Sequence, residues 1–120
     1  MDNYKIAVAS SDGIVVNQHF GRASKFYIYE VKGEDTPKLK DVREVAPVCE
    51  SGEHDEGRLE ENMRALSDCQ YMLVLKIGPG AEAKANSFGI DCYVIPGLIT
   101  ESIEHLRKYL KGTSIDLYID

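Results

Sequence analysis

Three short runs, at residues 5–9, 71–75 and 91–95, carry apolar side chains at odd and even positions alike. A strand of that kind must be covered on both faces, which places it in the middle of a layered α/β domain and not at the edge of an open sheet. The segments between and after these runs change period. Leu59, Met63 and Leu66 recur at helical spacing within residues 58–69, and residues 81–88 are rich in alanine. Ile103, Leu106 and Leu110 mark the inner face of a last helix, for which Thr100 is the natural N-cap. Alternation of strand and helix predicts parallel strands joined by right-handed crossovers.

The N-terminal part reads differently. Residues 26–31 are aromatic and β-branched, residues 32–37 form a polar turn, and residues 42–45 complete a hairpin. Ile14, Val15 and Val16 extend the chain briefly beyond a Ser10-Ser11-Asp12-Gly13 turn. Pro79 suits a first helical turn, where the amide proton it lacks would have no partner. Gly89 and Gly112 sit where helices end. Beyond Gly112, Ile115, Leu117 and Ile119 alternate with polar residues, as an edge strand or a packing tail would. The expected architecture is one domain over residues 1–120, a three-layer α/β/α fold with a mixed sheet of about five strands and helices on both faces.

A chain of 120 residues can bury roughly two-thirds of its unfolded surface without disulfide or metal staples. Twenty acidic residues against fourteen basic ones give a net charge of −6, the wrong sign for a general nucleic-acid binder. No apolar run approaches the ~20 residues of a membrane span. The N-terminus lacks the pattern of a secretory leader, so a cytoplasmic location is expected. Cys49, Cys69 and Cys92 are odd in number and widely spaced, which fits neither a disulfide framework nor a zinc ribbon. Cys69 and Cys92 read as small buried apolar residues.

Chemistry-bearing residues gather in three places. Asn17-Gln18-His19-Phe20-Gly21-Arg22 forms a glycine-marked loop in which His19 can ligate a metal and Arg22 can meet an anion. Its bland explanation is that Phe20 plugs the core and His19 hydrogen-bonds the loop. Cys49 and His54 stand five positions apart beside Glu53 and Asp55, too few ligands for a closed zinc site but enough for an exchangeable metal or cluster. The competing reading is an acidic, solvated helix start. Gly78 and Gly80 flank Pro79 at the carboxyl end of a strand, where α/β sheets gather ligands and helix amides attract anions. Tight turning alone also explains glycines there. No oxyanion donors, orienting group or paired carboxylates mark a catalytic centre.

These segments together resemble the dinitrogenase iron-molybdenum cofactor biosynthesis family, the NifX/NafY-like proteins. The carrying residues are Lys5-Ile6-Ala7-Val8-Ala9-Ser10, Val16-Asn17-Gln18-His19-Phe20-Gly21-Arg22-Ala23 with Phe26-Tyr27-Ile28-Tyr29, Leu75-Lys76-Ile77-Gly78-Pro79-Gly80-Ala81, and Gly89-Ile90-Asp91. The resemblance implies a ribonuclease H-like α/β/α fold without nuclease activity. It also implies a non-enzymatic carrier for an iron-sulfur or iron-molybdenum cofactor or precursor, held as transient cargo in nitrogenase cofactor maturation. His19 then matches the family's cofactor-associated histidine, and Cys49 and His54 join it as metal ligands. Arg22, Gly78 and Gly80 would support an anionic cargo. The implied partners are cofactor-biosynthesis or acceptor proteins, with a homo-oligomer as a further expectation. A metal-free interaction module on the same fold, using the tail beyond Gly112, is the alternative.

Overall fold

The computed structural model describes residues 3–50 and 53–112, with backbone alone at 50, 53 and 54. The strands are β1 (Asn3–Ala9), β2 (Val15–Val16), β3 (Lys25–Lys32), β4 (Lys38–Glu44), β5 (Cys49–Glu50), β6 (Glu53–His54), β7 (Tyr71–Val74), β8 (Asp91–Val94) and β9 (Gly97–Leu98). The helices are α1 (Glu56–Ala65), α2 (Pro79–Ser87) and α3 (Ile99–Leu110). A five-stranded mixed sheet runs in the order β4-β3-β1-β7-β8. The β1–β3 and β3–β4 pairs are antiparallel, whereas β7 pairs parallel with β1 and β8 parallel with β7.

Alternation along β1 separates two cores. Ala7 and Ala9 join Phe26, Ile28, Met72 and Val74 beneath Leu59 and Met63 of α1 and Ala85 of α2. Ile6 and Val8 face the other way, with Val31 and Leu73, against Ile99, Ile103 and Leu106 of α3. Within β1, small residues thus lie under the side that takes two helices, and β-branched ones under the side that takes one. The double-sided apolar pattern of β1 and β7 has its physical cause in this arrangement.

Three boundaries differ from the sequence reading. The run at residues 91–95 was expected to be buried, but β8 is an edge strand and Val94 is 55% exposed. Helix α3 starts at Ile99 with Leu98 at the N-cap and no side-chain cap, so Thr100 lies inside the first turn. The reason is tertiary: β9 pairs with β2, and the Ile99 amide donates to the Ile14 carbonyl at 2.8 Å, which holds the helix start. Helix α1 begins earlier than the apolar period suggests, because the Asp55 side chain accepts from the Arg58 amide and caps it. Gly89 and Gly112 both adopt φ +80°, as their helix-ending positions require. The alternating residues Ile115, Leu117 and Ile119 lie outside the described residues.

The edge strand β4 is exposed at nearly every position, and a charge network ties it down. The Arg43 guanidinium donates to both Asp68 carboxylate oxygens, at 2.7 and 2.9 Å, and to the Ala65 carbonyl at 2.9 Å, while Lys5 reaches Asp68 at 3.3 Å. Arg43, then Lys5, holds the Asp68 carboxyl well below the usual carboxylate range. A carboxyl depressed in the folded state stabilises it above the unfolded value of 3.8, and that contribution is lost as pH falls toward the folded value. Asp68→Asn is therefore expected to destabilise the protein at neutral pH by about 1 kcal/mol, since the group is half exposed and screened. Urea midpoints of the two proteins should begin to converge only below about pH 4 and approach each other as pH falls further.

Candidate functional site

The segment after β1 is fixed in steps. The Asp12 carboxylate accepts from the amides of Ile14 (2.9 Å) and Val15 (3.2 Å), and those two bonds lower its pKa. Asn17 then clamps Ser11, its Oδ1 accepting from the Ser11 amide and its Nδ2 donating to Ser11 Oγ, both at 3.0 Å. From there the chain lies beside the end of β7. The Leu75 amide donates to the Gln18 carbonyl at 3.0 Å and the Phe20 amide to the Lys76 carbonyl at 2.9 Å, so His19 and Lys76 form a parallel bridge.

A 3-10 turn over Phe20–Arg22 completes the loop. Phe20 is buried against Phe26, with ring centroids 6.1 Å apart, while His19 and Arg22 remain exposed. The core-plug explanation therefore holds for Phe20. It does not absorb His19, which makes no side-chain cap to the turn. A buried aromatic anchor displays an exposed imidazole and an exposed guanidinium.

Two further segments converge on this loop. Buried Val48 accepts from the Asp55 amide at 3.0 Å, closing a hairpin in which Cys49 stands in backbone register with His54. Cys49 is half-buried, and a Cβ built on Gly21 would come within 2.8 Å of its Sγ. The glycine is what lets the thiol approach the histidine loop. Across from them α2 begins, with Gly78 as N-cap and Pro79 at the first helical position. Its first intrahelical bond runs from the Glu82 amide to the Gly78 carbonyl, so the Gly80 and Ala81 amides precede the helical ladder.

The three segments enclose an open cavity of about 580 Å³. Its polar wall consists of His19, Arg22, Cys49 and Lys76, and Gly78 and Gly80 face it from α2. Phe20, Val48, Ile77 and Ala81 supply the apolar part. The cavity is within the size range of small-molecule and cofactor sites. Neither Gly78 nor Gly80 has a positive φ, and a Cβ on either would meet nothing within 4 Å. Turning of the chain does not require them; their effect is to leave the cavity wall bare.

Five of the sequence-derived candidates, His19, Arg22, Cys49, Gly78 and Gly80, thus meet at one cavity. His54 is placed only by backbone register opposite Cys49. Among the described residues, no three His, Cys, Asp or Glu side chains converge as a metal cluster. Two contributors escaped the sequence reading. Lys76 follows an apolar strand and reads as a chain-end charge, and the role of Gly21 depends on a contact with a residue twenty-eight positions away.

The other thiols are different in kind. Burial pushes the Cys69 and Cys92 thiols up to about 12, which leaves them almost wholly protonated at neutral pH. Cys69 is buried, as the sequence suggested, whereas Cys92 on edge strand β8 is half-buried. Brief alkylation of the native protein at about pH 8, followed by peptide mass mapping, is expected to modify Cys49 and spare the other two.

A family model described as "Dinitrogenase iron-molybdenum cofactor" matches residues 2–112. The chain belongs to the dinitrogenase iron-molybdenum cofactor family. Among its curated relatives is the FeMo cofactor biosynthesis protein NifB of Frankia alni, 35% identical over 108 residues, or 88% of this chain and 21% of that protein. Protein NifX of Sinorhizobium fredii is 30% identical over 112 residues, covering 89% of this chain and 70% of NifX. Protein NifY of Azotobacter vinelandii is 34% identical over 89 residues, 74% of this chain and 35% of NifY. The chain therefore spans about a fifth of the NifB protein and most of NifX.

Solved structures agree on the fold. The crystal structure of PH0822 superposes with a TM-score of 0.60 at 24% identity, covering 90% of this chain and 91% of that one. An NMR structure of a NifB-type protein from Thermotoga gives the same TM-score at 20% identity, with 88% of each chain covered. Among the described residues no helix is long and apolar enough to cross a membrane. The family assignment and the mixed α/β sheet thus agree with the sequence reading.

Proposed function

We propose that this chain holds an iron-sulfur or iron-molybdenum cofactor, or a precursor of one, as transient cargo in the cavity between the His19 loop, the Cys49 hairpin and the start of α2. The observation that carries this reading is the meeting of an imidazole and a thiol from separate segments in a cavity of about 580 Å³. Imidazole and thiolate suit iron and metal-sulfide centres better than they suit magnesium or calcium. Two such donors, with His54 in register with Cys49, are fewer ligands than the four cysteines of a permanent cluster. A carrier must release what it holds, and a sparse ligand set permits that.

The role is binding and transfer, not catalysis, and it belongs to cofactor maturation, for which the NifB relatives are named. The partners in this reading are the proteins that donate the cofactor and accept it, in the cytoplasm. The strand order, with α1 and α2 in one core and α3 in the other, supports ribonuclease H-like layering used here as a scaffold. The test is anaerobic purification and cluster reconstitution, followed by iron, molybdenum and sulfide analysis with absorption spectra before and after air. Bound metal and sulfide with an air-sensitive chromophore is the expected result. A colourless chain that takes up no cluster overturns the carrier reading in favour of a metal-free interaction module.

A further inference from the structure

We infer that a second cleft of about 360 Å³, next to the cargo cavity, is a ligand-exchange port, through which an incoming thiol displaces His19 from the cargo while Cys49 still holds it. This rests on the carrier reading and adds to it the route and the chemistry of release.

The two proposed donors differ in how they are reached. Cys49 borders the larger cavity and not the smaller cleft. It is half-buried, pressed against Gly21, and carried by a hairpin that the Asp55 amide closes onto the Val48 carbonyl. His19 is exposed and borders both spaces, as does Arg22. A group entering the smaller cleft therefore meets the imidazole and not the thiol. Release then proceeds in order, with His19 exchanged first and Cys49 last, so the cargo is never without a protein or acceptor ligand on the exposed side.

The cleft is a built feature of the loop. Asn17, Gln18, His19, Arg22 and Leu75 line it. Asn17 is latched to Ser11 by two hydrogen bonds, and the Leu75 amide donates to the Gln18 carbonyl, which ties the loop to the end of β7. Its volume falls at the lower end of small-molecule sites and admits a thiol with the chain that bears it. The described lining holds a guanidinium and two carboxamides but no carboxylate, which favours an anionic donor over a neutral one. Thiolate is the anionic donor that soft metal centres take. The step is a ligand substitution with no change of oxidation state. A sulfur–metal bond forms, the imidazole–metal bond breaks, and the nitrogen leaves with its electron pair and takes up the thiol's proton.

The test loads the chain anaerobically with a reconstituted iron-sulfur cluster and follows its release by absorbance. Glutathione serves as an anionic thiol and 2-mercaptoethanol as a neutral one. Gln18→Glu places a negative charge in the cleft and Gln18→Trp fills it. Gln18 does not line the larger cavity, and circular dichroism checks that each variant is folded. The wild-type release rate should rise with thiol concentration. Gln18→Glu should slow release to glutathione by about tenfold, as a charge at an entry path does, and leave the 2-mercaptoethanol rate nearly unchanged. Gln18→Trp should slow both. Cluster affinity in each variant should stay within about threefold of the wild type. Release at a rate independent of thiol concentration, or equal in the wild type and both variants, overturns the port and leaves the carrier reading standing. A wild-type chain that loads no cluster overturns both.

Discussion

Gly21→Ala is expected to weaken cluster uptake by about tenfold to a hundredfold, as loss of one donor does, at a modest cost in stability. The added Cβ would sit 2.8 Å from Cys49 Sγ and 3.3 Å from Cys49 Cβ, closer than packed carbon and sulfur tolerate. Rotation of the Cys49 side chain relieves the shorter contact but moves the thiol off the cavity wall. The stability loss should therefore be about 1–3 kcal/mol, the range for an extra methyl forced into a packed region. The effect on binding is larger, because one of the two proposed donors leaves its place. Coupling identifies the cause. In Gly21→Ala/Cys49→Ala the sulfur is gone, so stability should partly recover while cluster uptake does not. Equal destabilisation with and without Cys49, measured by urea unfolding, would show that the clash is not the source.

Removing both donors is expected to have the greatest effect on the cargo. His19 is exposed and makes no side-chain cap, so His19→Ala should leave the fold unchanged. Each single replacement, His19→Ala or Cys49→Ala, is expected to weaken cluster binding by about tenfold to a hundredfold, the scale on which loss of metal-site groups is felt. The double variant should retain no cluster through gel filtration. If His54 shares the metal, Cys49→Ala will retain more cluster than the Cys49→Ala/His54→Ala pair. The readout is metal and sulfide content per chain after anaerobic reconstitution, with near-ultraviolet circular dichroism as the control for fold.

The parts of this molecule legible in the sequence are those in which local pattern and tertiary demand agree. Ile6 to Ala9 and Met72 to Val74 are apolar on both faces because helices cover both faces. Ile103 and Leu106 define the α3 face, and Gly89 ends α2 because its φ of +80° suits glycine. The histidine loop was also legible, since Phe20 anchors it and leaves His19 and Arg22 outside.

What was not legible depends on contacts between distant residues. Strand β4 starts at Lys38, well before residues 42–45, because pairing with β3 and the Arg43–Asp68 bridge hold a stretch with no apolar alternation. Edge strand β8 looks buried in sequence because Cys92, Tyr93 and Val94 are apolar in a row; in the fold Cys92 and Tyr93 are only half-buried, Tyr93 packing 6.1 Å from Tyr71 and 5.5 Å from Tyr109. Lys76 and Gly21 carry no local signal of their roles. One is set by a bridge to His19 and the other by the thiol of Cys49.

The proposed carrier role requires His19 and Cys49 to hold a metal-sulfide cargo in one cavity. Its most direct test is an anaerobic titration of the wild-type chain and of His19→Ala with a reconstituted iron-sulfur cluster, followed by absorption and metal analysis. Saturable uptake by the wild type and strongly weakened uptake by His19→Ala, with an unchanged circular dichroism spectrum, are the expected results. Uptake by His19→Ala with wild-type affinity would contradict that role.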